Sequence, residues 1–157
     1  MIVKNLIILI FLSVFALTGF AANISPVGNW TTISDKTDKA RSIIKIWQSK
    51  GELYGKIIKI YKEPEDRDTC VNCSGKFKNK KVKGLTIMWG LRQTSVREWR
   101  YGKILDPKSG NIYSCEIHVA ANGKTLEIRG YIGFSLFGRS QTWIRDLPEH
   151  KKEAKKG

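Results

Sequence analysis

Apolar residues return at every second position along much of this chain. Leu85, Ile87, Trp89 and Leu91 fall on one face of an extended segment. Tyr113, Cys115, Ile117 and Val119 do the same, and so do Leu126, Ile128, Gly130 and Ile132, with Glu127, Arg129 and Tyr131 opposite. A period of two is that of a half-buried antiparallel strand. The pattern predicts strands near 28–33, 41–48, 52–61, 85–91, 98–105, 111–119, 124–132 and 138–146. The second and third are apolar on both faces. Turn residues separate the runs: Ser49-Lys50-Gly51, Asp106-Pro107-Lys108-Ser109-Gly110 and Ala121-Asn122-Gly123, the last with a hairpin Asn-Gly. No long helical period interrupts them, and only 62–84 has room for a short helix. Regularly spaced strands predict an all-β barrel or sandwich, and the even count suits an eight-stranded antiparallel up-and-down barrel if the strands connect as a meander.

In such a barrel the connections sort by parity. Those near 49–51, 92–97 and 120–123 share one end with the start of the first strand and the finish of the last. Gly28, Trp30 and Arg145 then meet there, and a guanidinium over an indole can cap that end. The connections near 34–40, 62–84, 106–110 and 133–137 form the opposite rim. That rim carries the longest loop and the apolar Phe134-Ser135-Leu136-Phe137 stretch. It reads as a mouth. Period two carries inward facing from Arg145 back through Trp143 and Gln141 to Arg139, just inside the mouth. There Arg139 grips an anionic head group, pairs with a rim carboxylate such as Asp35 or Asp106, or faces solvent if a bulge near Gly138 shifts the register.

Composition adds a compartment. Residues 2–20 are almost wholly apolar, with Lys4 alone charged, and Gly19-Phe20-Ala21 places small residues where a signal peptidase reads. Residues 1–21 are therefore expected to be a signal peptide cleaved after Ala21. An uncleaved anchor is the alternative, since the run approaches spanning length. Residues 22–147 form the predicted barrel domain and 148–157 a basic, disordered tail. The protein is then periplasmic or secreted. The net charge is +14, and loss of the leader removes one lysine and no acid. Such a surface attracts anionic partners, and export excludes nucleic acid as the natural one. Lys76, Lys78, Lys80, Lys81 and Lys83 crowd the mouth loop as a possible contact with an anionic envelope surface; a solvated loop is the plainer alternative.

Candidate chemistry is sparse. Cys70-Val71-Asn72-Cys73 reads as a disulfide clipping the long loop. A redox pair lacks its βα setting. A zinc site with Cys115 and His118 fails because those two residues point to opposite faces of a strand. Cys115 is left as a small core residue. Gly133-Phe134-Ser135-Leu136-Phe137-Gly138 has its second glycine one place late for a nucleophile elbow, and no strand–turn–helix context surrounds it. No catalytic residue, metal ligand set or cofactor loop is assigned.

Several pieces of the chain resemble one family when taken as a set. They are Gly28-x-Trp30, Gly51-x-Leu53-x-Gly55-Lys56-Ile57, Cys70-x-x-Cys73-x-Gly75, Gly84-Leu85-x-Ile87-x-Trp89-Gly90, the Gly102 to Cys115 segment, Arg129-Gly130-Tyr131-x-Gly133 and Gly138-Arg139-x-Gln141-x-Trp143-x-Arg145. These look like the bacterial domain of unknown function 2147, and the two ends look like the lipocalin and calycin signature. The resemblance implies an exported lipocalin-like barrel with no settled activity. The expected function is non-enzymatic binding of a small hydrophobic or amphiphilic molecule, with or without an anionic group. Leu85, Ile87, Trp89, Trp99, Tyr113, Ile117, Ile128, Arg139, Gln141 and Trp143 are the expected lining. The competing expectation is an interaction module whose interior is filled by its own aromatic side chains, and cavity volume separates the two.

Overall fold

The structure is a computed structural model, and it describes residues 24–146. The leader at 1–21 and the tail at 148–157 lie outside the described residues. Eight strands follow one another: β1 (Gly28–Ile33), β2 (Ala40–Ser49), β3 (Glu52–Ile60), β4 (Thr86–Ser95), β5 (Glu98–Leu105), β6 (Ile112–Val119), β7 (Thr125–Tyr131) and β8 (Arg139–Arg145). Each pairs antiparallel with the next, and β8 returns to β1, so the sheet closes as an up-and-down barrel. Single 3-10 turns at Gly75–Phe77 and Ser135–Phe137 are the described helical elements. β4 runs four residues beyond the expected strand. Its extension, Arg92 to Ser95, is wholly exposed, so no burial pattern marks it. The backbone ladder to β5 carries it instead.

The seam that closes the barrel is short. Only Trp30↔Arg145, Thr31↔Ile144 and Thr32↔Trp143 pair β1 with β8. Arg145 reinforces this seam from below. Its guanidinium carbon lies 4.1 Å from the centroid of the Trp30 ring, and Trp30 is fully buried. Nε donates to the Gly123 carbonyl at 2.5 Å, Nη1 to the Val27 carbonyl at 3.1 Å and Nη2 to the Ser25 carbonyl at 2.6 Å. The indole donates to the Pro26 carbonyl at 2.7 Å. One side chain thus joins the last strand, the β6–β7 turn and the segment before β1. Gly28 sits at a φ of +135°, and a Cβ there would come within 3.1 Å of Nη1. Glycine is required for both reasons.

Above this plug the lower half of the barrel is packed solid. Ile46, Leu53, Met88, Leu91, Trp99, Ile117, Val119 and Leu126 are all buried. Two inward glycines make room for them. A Cβ on Gly55 would lie 2.9 Å from Met88 Cε, and one on Gly102 would lie 2.3 Å from Leu91 Cγ. The bulk missing at those positions is supplied from β4. Arg145→Ala should destabilise the fold by about 2–3 kcal/mol, from the lost stack and its charge-assisted hydrogen bonds. Arg145→Lys should recover less than half of this, because an ammonium cannot fork to three carbonyls across a ring face. Urea melts measure both, and an alanine variant as stable as its parent would exclude the closing role.

Candidate ligand cavity and its rim

The upper half of the barrel is open. The cavity from the packed floor to the rim has a volume of about 990 Å³. Its wall is mainly apolar, from Ile44, Ile57, Ile87, Ile104, Ile128 and Trp143. Gly130 faces it as well and widens it. Polar groups on the wall are paired with one another. The Thr32 and Ser42 hydroxyls lie 2.8 Å apart, and the Trp143 indole donates to the Gln141 amide oxygen at 3.4 Å. The interior is therefore not filled by its own side chains, as the competing expectation required.

The structure divides the expected lining residues. Ile87, Tyr113, Ile128, Arg139, Gln141 and Trp143 line the cavity. Trp99 and Ile117 belong to the packed floor instead, and Leu85 is packed against the core off the cavity wall. Trp89 departs furthest from its expected place. It pairs with the exposed Lys103 and stacks outside the barrel on Phe77, with ring centroids 5.6 Å apart. Gly90, at a φ of +75°, is the cause. Between the pairs Leu53↔Leu91 and Gly55↔Met88, β4 advances one residue more than β3. This bulge leaves Met88 and Leu91 facing inward while Trp89 turns out, and a second shift between Gly55↔Met88 and Lys56↔Thr86 lets Ile87 also reach the cavity wall. The wall residues of β2, β3 and β5 were not foreseen. Ile44 and Ile57 lie in the runs that are apolar on both faces, where alternation gives no direction. Ile104 lies beyond a bulge at Tyr101, which has a φ of +67°.

The 62–84 loop walls one side of the mouth. Cys70 and Cys73 form a disulfide with Cα atoms 5.3 Å apart, and both are buried. The Cys70 amide donates to the Lys80 carbonyl at 2.8 Å, and the Asn79 amide returns to Cys70 at 3.1 Å. Asn72 donates from its side chain to the Lys108 carbonyl at 2.8 Å, tying the loop to the β5–β6 turn. The turn fits closely because Gly110, at a φ of +79°, has no Cβ. One there would sit 2.1 Å from the Asn72 oxygen. Lys76, Lys78, Lys80, Lys81 and Lys83 are exposed on this loop, and none lines the cavity. Cys115 is a buried free cysteine, and burial pushes its thiol pKa up to about 12.

Two guanidiniums at the rim are paired with carboxylates. Arg139 meets Asp35 at 2.5 Å, and Gln141 donates to the same carboxylate oxygen at 3.0 Å. Of the roles foreseen for Arg139, the structure shows the carboxylate pair. Asp35 lies in the β1–β2 loop, so this contact fixes that loop to β8. A second pair was not legible in the sequence, because its partners lie 25 residues apart with one in an irregular loop. Arg41 grips Asp66 with both terminal nitrogens and also donates to the Tyr61 carbonyl at 3.2 Å. Asp66 accepts the Glu63 amide at 2.8 Å as well. The Arg41 hydrogen bonds hold its pKa down to about 2, from a usual value of 3.8.

This depressed pKa sets a pH window. Stabilisation by the pair is complete above the unfolded value of 3.8 and is lost as the pH falls toward about 2. Between those limits, amide exchange across residues 61–69 should rise before the strands exchange. Asp66→Asn should raise exchange in the same segment already at neutral pH. Uniform exchange of loop and strands on acidification would contradict the assignment.

The fold has a solved counterpart. A structure described as protein HP1028 from the human pathogen Helicobacter pylori, belonging to the lipocalin family, superposes with a TM-score of 0.69 at 23% identity. The match covers 83% of this chain and 89% of that one, and at this identity it speaks for the fold alone. No curated protein matches the sequence. Residues 28–145 match the family described as uncharacterized protein conserved in bacteria, DUF2147. That span takes in all eight strands, the disulfide loop and both halves of the plug, and on it the chain belongs to the DUF2147 family, with a lipocalin-like barrel as its fold.

Proposed function

We propose that the protein binds a small hydrophobic or amphiphilic molecule in the upper half of the barrel and performs no reaction on it. The open apolar cavity above a packed floor carries this reading. Eight-stranded barrels have room for one small ligand when their side chains leave it free, and a volume of about 990 Å³ is within the usual range for ligand sites. Burying about 300 Å² of apolar ligand surface at about 25 cal/mol per Å² contributes about 7 kcal/mol before association costs, enough for micromolar binding. Arg139 and Arg41 are bound to Asp35 and Asp66, whereas Lys36, Arg67 and Lys108 also border the cavity. An amphiphilic ligand would keep its polar end at this rim while its apolar part lies against the wall.

Gly130→Leu tests the cavity. A Cβ on Gly130 would meet its nearest neighbour, Tyr113 Cβ, at 3.6 Å, an ordinary contact. The added side chain can enter the cavity without a clash. Displacement of a fluorescent fatty-acid or neutral lipid-like probe should show affinity at least tenfold weaker, with the thermal midpoint unchanged or raised. Unaltered probe affinity in a folded variant would remove the cavity from the function.

The reading also places the protein in an exported compartment, supported by the apolar leader and its small-residue exit. N-terminal sequencing of protein from its own host should begin at Ala22. A start at Met1 would favour a retained anchor.

A further inference from the structure

The β7–β8 loop exposes apolar side chains at the mouth. Phe134 is 79% exposed and Leu136 81%, and Ile132 beside them is 72% exposed while also lining the cavity. The loop is held in this form. Arg129 donates from Nε to the Ser135 carbonyl at 2.7 Å and from Nη2 to the Leu136 carbonyl at 3.2 Å. Its Nη1 donates to Ser140 Oγ at 3.2 Å. The stem is drawn close, for a Cβ on Gly138 would lie 2.7 Å from the Gly130 oxygen. The polar backbone is thus satisfied from the protein side, and the apolar side chains are presented outward. We infer that this loop seats the cavity mouth on a bilayer surface bearing anionic head groups.

Three features select a bilayer over a protein partner. The apolar tip is made by Ile132, Phe134 and Leu136, whereas a stable protein interface needs about 800 Å² from each partner. Interfacial insertion needs no complementary shape, only apolar area and attraction to anionic lipid. Charge fits the same partner. The chain carries a net charge of +14, and the 62–84 loop on the same rim presents five lysines between 76 and 83 with no acid among them. Lysines and an apolar tip on one rim are the combination an anionic leaflet attracts. Finally, the exposed patch is continuous with the cavity through Ile132, so a lipid-soluble ligand has an apolar path from bilayer to wall.

A fluorophore on Ser135→Cys reads the contact locally, since Cys115 is buried and Cys70 and Cys73 are joined. The full chain as isolated from its host is mixed with vesicles of brominated phosphatidylcholine, with or without phosphatidylglycerol. Quenching is expected with phosphatidylglycerol present, weakening at high salt. Phe134→Ser with Leu136→Ser should lower vesicle partitioning at least tenfold and leave the thermal midpoint unchanged. Absence of quenching, or equal partitioning of parent and double variant, overturns the inference and leaves the patch facing a protein. Probe displacement from the cavity is measured without vesicles, so failure to dock and failure to bind a ligand are separate outcomes.

Discussion

A guanidinium laid on an indole holds this barrel shut. Every other neighbouring pair of strands has a longer ladder than β1 with β8, whose three register pairs would alone leave an open edge. Arg145 compensates by donating to carbonyls on both sides of the seam and by covering the Trp30 ring. Burial pulls the Arg145 pKa below its usual value, yet arginine stays charged under any physiological condition. The interaction is therefore independent of pH in a way that a lysine or histidine plug would not be. It also donates to the Ser25 and Val27 carbonyls in the residues leading into β1.

With one end closed, the placement of glycine decides how much of the interior is cavity. Gly55 and Gly102 face large neighbours at less than ordinary contact distance, and the floor is dense there. Gly130 faces its neighbours at 3.6 Å and beyond, and the wall opens there. The same residue type thus admits a neighbouring side chain in the lower half and leaves volume in the upper half. Loops complete the upper half. The Arg41–Asp66 and Arg139–Asp35 pairs each tie a rim connection to a strand, and Asn72 ties the disulfide loop to the β5–β6 turn, so the mouth is built from crosslinked segments.

Strand number, order and the identity of the closed end were legible because they rest on local signals: period-two alternation, turn residues and the parity of a meander. Trp30 and Arg145 could be paired from parity alone. Trp89 could not be placed by the same rule. Counting by twos assumes an unbroken ladder, and Gly90 breaks it. The available signal was glycine inside an apolar strand, which marks a bulge or a close approach; Gly55, Gly90 and Gly102 each prove to be one or the other. Arg41 with Asp66 left no signal at all, because a loop carboxylate finds its partner through the path of the backbone.

The distribution of charge separates two tasks that the composition alone would merge. A strongly basic chain invites the reading that its ligand is an anion. Yet Arg139 and Arg41 at the mouth are neutralised by Asp35 and Asp66, and the five lysines of 76–83 lie off the cavity wall on the 62–84 loop. Breaking a guanidinium–carboxylate pair to admit an anion would strand Asp35 or Asp66, each within a network that orders the rim. On the proposed reading, the cationic surface governs where the molecule resides, and the apolar wall governs what it holds. Lysine substitutions in 76–83 would then alter surface attachment without altering cavity affinity, whereas Gly130 substitutions would do the reverse.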